Sequence, residues 1–326
     1  MQFNKSNPPG VYPSLILIFL SILADDVLPI LLVALVGLIL ARFVHIDGRT
    51  LSQVILYTFL PCLVFYSLIT SQLRLEDFGR MALFALLSIS TVGLIAWLIA
   101  FSLHLEHHLR IAFLFVVMFS NVGNFGLSLV TFAFGQQALT YATVYFITSN
   151  VLLYTIGTAL ISSRRQRFGQ AVLGIFRLPV VYAVLAAAIV MGTGLTFPQA
   201  IIKPLELLSR GSIPSMLLVL GVQLNKAEFK LSLRRGSLNL EALLLGLVTL
   251  LRLVVAPVCS YYLAVLCGLN GPAFQAGLVE SGTPVAVVTS IFAVEFEVAP
   301  EFITNAIFLS TVLSPLTLTA LIFLLK

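Results

Sequence analysis

The chain has 326 residues, 60% of them apolar and only 10% charged, with a net charge of +5. Soluble domains carry about 25% charged residues, so this composition cannot clothe a water-facing surface of that size. A mean hydropathy of +1.09 and repeated apolar runs of about 20 residues point to an all-α polytopic membrane protein; a transmembrane β-barrel would show short alternating segments instead.

The leader NPPGVYPSLILIFLSILADD comes first, and its apolar part, Pro13 to Ala24, is too short to span. It reads as an interfacial segment or a continuation of the first helix. Ten spans follow, at roughly 26–44, 51–73, 80–103, 110–134, 138–162, 178–198, 202–224, 240–268, 272–294 and 301–325. The stretch RRQRFGQAVLGIFR (164–177) divides them, five on each side. It reads as a cytoplasmic linker, with Phe168, Val172, Ile175 and Phe176 suggesting a short surface helix. The domain boundaries expected are therefore 1–163, 164–177 and 178–326. With the amino end outside, eleven Lys and Arg residues fall in cytoplasmic connections and five on the opposite side. That excess predicts a multi-pass protein of the cell (inner) membrane with both termini extracytoplasmic. Basic residues used this way need no nucleic acid as partner. Cys62, Cys259 and Cys267 all lie in apolar runs without metal-ligand spacing, as buried free thiols do.

The two halves resemble one another. Spans two and seven both have an early proline, a Gln-Leu pair (Gln72-Leu73, Gln223-Leu224) and a following acidic-Phe pair (Asp77-Phe78, Glu228-Phe229). Spans four and nine align Ser120 with Ser281. Five spans per half force the second half to enter from the other side, so the repeat is inverted, a common plan of secondary transporters.

Polar residues interrupt two of these spans at matched places. Span four carries SNVGNFG (120–126) and span nine carries ESGTP (280–284). Glycine weakens helix continuity and proline removes a backbone donor, so both spans should be broken and should cross near the midplane. Helix N-termini there suit a carboxylate, while unwound carbonyls and acidic side chains suit a cation. Close helix packing through small residues is the bland alternative. Asn121 and Asn124 share a face, and their amides can donate to an anion without burying a charge. With Gly123, Gly282, Thr283 and Pro284 they form the candidate substrate site. Glu280 is the one acidic residue deep inside a span. It is a candidate cation or proton site, or else one half of an internal ion pair with Arg252 or Arg210. Arg210, if it faces inward, is a candidate to neutralise an anionic substrate. The loop HLEHHLR (104–110) is read as a solvated helix end rather than a metal or pH-sensing site.

Several phrases in order, LYTFLPCLVFYSL, SNVGNFGLSL, IPSMLLVLGVQL, RLVVAP, ESGTPVAVVTSIFAVEF and FLSTVLSPLTL, resemble the auxin efflux carrier family of permeases over essentially the whole chain. The resemblance implies the ten-helix fold shared with bile acid/sodium symporters and sodium/proton antiporters. In that fold spans 1, 2, 6 and 7 form a scaffold, and spans 3–5 and 8–10 form a mobile core with crossing helices 4 and 9. It also implies small organic anions as cargo, met by Asn121 and the Gly282–Pro284 region. Ser128 stands where that family usually has proline. SNV at 120–122 and ESG at 280–282 are similar to sodium-ligating segments of bile acid symporters, which makes Ser120, Asn121 and Glu280 candidate cation ligands. The expectation is a secondary transporter of small organic anions working by alternating access, with no cofactor, the coupling ion left open between sodium, a proton and none, and a homodimer open. The alternatives are a sodium-coupled symporter of larger amphipathic anions and a ligand-gated receptor or channel. No HExxH, paired aspartates or Ser/His pair suggests an enzyme.

Overall fold

A chain surrounded by hydrocarbon must satisfy its own backbone polar groups, and helices do so within one segment. The computed structural model describes residues 15–71, 73–161, 176, 178–226 and 238–326. Among these, every regular element is helical, apart from a single bridge between Ser120 and Val285. Seven helices are long and apolar enough to cross a membrane. They are α1 (Leu15–Phe43), α2 (Gly48–Thr70), α3 (Glu76–Ser102), α5 (Val122–Ile161), α7 (Gln199–Asn225), α8 (Leu240–Leu266) and α11 (Pro300–Leu325). Four shorter helices stand beside them among the described residues: α4 (His107–Met118), α6 (Pro179–Thr193), α9 (Gly271–Ser281) and α10 (Val288–Glu295).

Helix starts follow local chemistry. Asp47 caps α2, accepting from the main-chain amides of Arg49 at 3.1 Å and Thr50 at 3.3 Å. Pro179, Pro272 and Pro300 occupy first turns, where a missing N–H costs nothing. The leader from Leu15 onward is continuous with α1, which runs unbroken through a widened turn at Leu23–Val27; its earlier residues lie outside those described. Asp26, in that turn, is buried and paired with Lys326 Nζ at 2.5 Å, tying α1 to the end of α11. The linker 164–177 and Gln72 lie outside the described residues except for Phe176, whose carbonyl accepts from the Tyr182 hydroxyl.

The difference between seven long helices and ten expected spans has a physical source. Expected spans four and nine are each divided, into α4 with the start of α5 and into α9 with α10. The second piece of span four continues into span five with only one non-helical residue between them, Gly135 at φ 78°. Span six is short, at 15 residues.

Packing groups the helices. α1 lies against α7, and both α6 and α7 lie against α2. The α1–α7 contact brings backbones together: a Cβ on Gly37 would overlap the Leu218 carbonyl, and one on Gly221 the Ala34 carbonyl. Small residues at such seams are how membrane helices approach closely. The second group packs α3 on α4 and α5, α9 on α5 and α8, and α8 and α10 on α11. Its interior is aromatic, with Phe84, Phe113, Phe115, Phe119, Phe125 and Tyr145 almost wholly buried.

Candidate substrate site at two helix breaks

The two interruptions meet. α4 ends at Met118 and α5 begins at Val122, while α9 ends at Ser281 and α10 begins at Val288. Between them the strand-like pieces run antiparallel and exchange main-chain hydrogen bonds. Asn121 N donates to Pro284 O at 2.7 Å, and Ala286 N donates to Phe119 O at 3.0 Å. The groups freed by breaking each helix are thus partly satisfied by the other, as buried irregular backbone requires.

The four helix ends divide by polarity. The negative, C-terminal ends of α4 and α9 converge on Arg252, from the middle of α8. Its guanidinium donates to Val117 O at 3.0 Å, Ser281 O at 2.6 Å and Thr283 O at 3.2 Å. The positive, N-terminal ends open instead onto a cavity of about 240 Å³. Val122, Gly123 and Asn124 line it at the start of α5, and Val287 and Val288 at the start of α10. Its other walls come from α2 (Ser52, Leu56, Leu60), the far part of α5 (Ser149, Asn150, Tyr154) and α7 (Met216, Gln223). The Nδ2 of Asn121, also in the lining, is buried with no hydrogen-bond partner, as is the Oε1 of Gln223. Two helix N-termini facing one largely apolar cavity, with Asn121 in its lining, are an arrangement chemically suited to an anionic group.

The sequence-selected residues divide accordingly. Asn121, Gly123 and Asn124 line the cavity, and Ser120 lines it too. Gly282, Thr283 and Pro284 are buried and none is in the lining; Pro284 supplies a carbonyl to the bridge, in which Val285 pairs with Ser120. Thr283 Oγ1 donates to the Glu280 carbonyl at 2.8 Å, and Ser120 Oγ reaches the same carbonyl at 3.5 Å. Arg210 stands apart, with a side chain 76% exposed and bound to Glu206 at 2.5 Å. Glu280 is fully buried, and neither carboxylate oxygen has a hydrogen-bond partner. The internal ion pair is therefore not made with either arginine: Arg252 donates through its two terminal nitrogens to carbonyls, and Arg210 pairs with Glu206. The Glu280 carboxylate rests against Gly126, where any Cβ would overlap it. Among the described residues, no group of three His, Cys, Asp or Glu side chains could hold a metal ion.

Sequence reasoning passed over Asn150 and Ser149. Their signal is present in Ser149-Asn150-Val151, which repeats Ser120-Asn121-Val122 inside another apolar run.

The class these features define is a multi-pass helical membrane protein built for transport. The chain belongs to the membrane transport protein family, the auxin efflux carrier family, whose sequence model matches it twice, over residues 22–172 and 168–322. It is 25% identical over 90% of its length to an "Uncharacterized transporter" of Methanothermobacter thermautotrophicus, of which it covers 95%. It is likewise 25% identical over 92% of its length to a "Putative malonate transporter" of Rhizobium meliloti, again covering 95% of that protein. Family and relatives alike are transporters rather than enzymes.

Proposed function

We propose that the protein is a secondary transporter of small organic anions, with dicarboxylates of malonate size as the leading class. The observation that carries this reading is the cavity between the helix breaks, where the α5 and α10 N-termini meet and Asn121 stands in the lining. Its volume, about 240 Å³, falls below the ~300–1,000 Å³ of drug-sized ligand sites. That favours a small carboxylate over a large amphipathic anion. The name of the Rhizobium relative points the same way.

The mechanism proposed is alternating access across ten spans. At 40 residues, α5 would measure about 60 Å, twice the hydrocarbon thickness. Gly135 therefore separates a half-span, which completes α4, from a full one. The α9–α10 pair is its inverted counterpart, and the double family match supports the repeat. In this reading α1, α2, α6 and α7 are the scaffold, and the rest is the body that carries the bound anion past it. The cavity already lies on that boundary, with walls from α2 and α7 on one side and α5 and α10 on the other.

The test is uptake of a labelled panel of mono- and dicarboxylates into proteoliposomes. Wild type should take up small dicarboxylates, and Asn121→Ala should lower uptake about 10-fold or more, the worth of one charge-assisted hydrogen bond. Asn121→Asp should abolish it, because a carboxylate would then face the substrate. An Asn121→Asp protein that folds and transports normally would remove the site from consideration.

A further inference from the structure

Broken helices at a membrane midplane present two kinds of charge to be satisfied. The positive N-terminal ends can wait for an anion in a cavity. The negative C-terminal ends, with their unwound carbonyls, form the kind of oxygen cage that takes a monovalent cation in coupled carriers. Here that cage is occupied by a side chain. Arg252 is 2% exposed and reaches from α8 into the crossing, donating through Nη1 to Val117 O of α4. Through Nη2 it donates to Ser281 O at the end of α9 and to Thr283 O in the following break.

We infer that Arg252 is a tethered cation: its guanidinium fills the carbonyl cage at the helix crossing that would otherwise bind a coupling ion, so that transport does not depend on sodium.

Three physical points carry this. A guanidinium is charged at any accessible pH and offers donors in a planar fork, so one side chain can serve carbonyls from two different helix ends. A sodium ion needs several oxygens around it at once, and three of those at the crossing are already spent on hydrogen bonds of 2.6–3.2 Å. The third point concerns motion. α8 packs on α9, and α9 on α5, so Arg252 belongs to the same body as the ends it neutralises. Its charge would travel with that body and return with it, contributing nothing to ion stoichiometry. A loose ion would be released on each cycle. The Nε hydrogen of Arg252 has no acceptor, so the contacts to the cage are made by the two terminal nitrogens. Of the candidate ligands, Glu280 contributes its main-chain carbonyl to the same region, where it accepts from Ser120 Oγ at 3.5 Å and Thr283 Oγ1 at 2.8 Å.

The inference rests on the reading of the crossing as the transport site, and its test separates the two. Purified wild type, Arg252→Ala and Arg252→Lys are compared by thermal unfolding in choline, sodium, lithium or millimolar guanidinium chloride at constant ionic strength. The same proteins are then assayed for malonate uptake with and without a sodium gradient. Wild type should unfold at the same temperature in choline and sodium. Arg252→Ala should unfold earlier and regain roughly 5 °C with guanidinium or sodium, as expected for a ligand well above its Kd. Arg252→Lys keeps a cation in the cage and should show no such response. Lost packing alone would give no cation-specific rescue. The proposal is overturned if wild type is itself saturably stabilised by sodium, or if Arg252→Ala answers to no cation. Should Arg252→Ala not fold, Arg252→Lys decides: indifference to sodium supports the plug and stabilisation by sodium overturns it. Absent uptake with the expected unfolding pattern would sink the transport reading and leave the tethered cation standing.

Discussion

Gly126 shows how closely the two breaks are fitted to each other. It belongs to the first interruption, yet the nearest atoms to where its side chain would be are the carboxylate atoms of Glu280 in the second. Overpacking of this sort costs about 1–3 kcal/mol, and here the atom displaced belongs to a fully buried group with no alternative partner. Gly126→Ala should lower stability by that amount. The decisive comparison is a double-mutant cycle, since coupled neighbours depart from additivity. In a Glu280→Ala background the cost of Gly126→Ala should fall below about 0.5 kcal/mol, because the obstacle has gone. Equal costs in both backgrounds, read by thermal or denaturant unfolding, would mean that the two residues are not in contact. The same residue-level logic separates Asn121 from Arg210. Asn121 lines the cavity and has a buried amide nitrogen without a partner, whereas Arg210 has its acid beside it and solvent around it.

At the scale of helices, the seam between α1 and α7 is the firmest element contact, and it depends on two glycines that face backbone rather than side chains. A carbonyl cannot swing aside as a flexible side chain can. Gly221→Ala should therefore cost the upper part of the ~1–3 kcal/mol range for overpacking. Gly246→Ala, in α8 with open space around it, should cost nothing or add slightly to helix stability. A similar loss at both positions would contradict the close α1–α7 approach. The helices themselves were legible as apolar runs, because hydrocarbon surroundings leave few alternatives to a helix. Their interruptions were legible because SNVGNFG and ESGTP set amides, hydroxyls and glycines where only apolar residues belong. Two things were not. The turn between spans four and five shrinks to Gly135, and nothing in TFAFGQQ distinguishes a one-residue kink from a short loop. The role of Arg252 was hidden as well. An arginine in an apolar run suggests an acidic partner, and Glu280 was available. Its actual partners are main-chain carbonyls, which every residue has and no sequence marks.

Taken whole, the molecule has cavities at both ends of one seam. The candidate site is lined by Ser52–Leu60 of α2 and Phe146–Tyr154 of α5. A second cavity of about 400 Å³ lies further along the same two helices, lined by Tyr66, Ser67, Thr70, Gln136, Gln137 and Tyr141 among others. Between Leu60 and Tyr66 the chain rises only about 9 Å, and the buried Leu63 and Val64 stand in that interval. Two cavities along one pair of helices, separated by a short apolar interval, fit the alternating access proposed above, with the candidate site on one side of the interval. Which side faces the cytoplasm depends on residues outside those described. Near the Ser52 end lie Arg42, Arg49, Arg110 and Lys226, and on the opposite side Arg74, Arg80, Lys203 and Lys326, an even balance. The excess comes from Arg164, Arg165, Arg167, Arg177, Lys230, Arg234 and Arg235, in the two connections expected from the sequence to be cytoplasmic. Short basic loops are retained on the cytoplasmic face, so the Ser52 end should be cytoplasmic and the Thr70 end external. In a variant lacking the half-buried Cys62, Cys259 and Cys267, Thr70→Cys should react with a membrane-impermeant maleimide in intact cells, and Ser52→Cys only in inside-out vesicles. Saturating substrate should then protect Ser52→Cys, which lines the candidate site, and leave Thr70→Cys labelled. The reverse sidedness would invert the topology and place the candidate site on the outer face. Protection of Thr70→Cys alone would move substrate recognition to the second cavity.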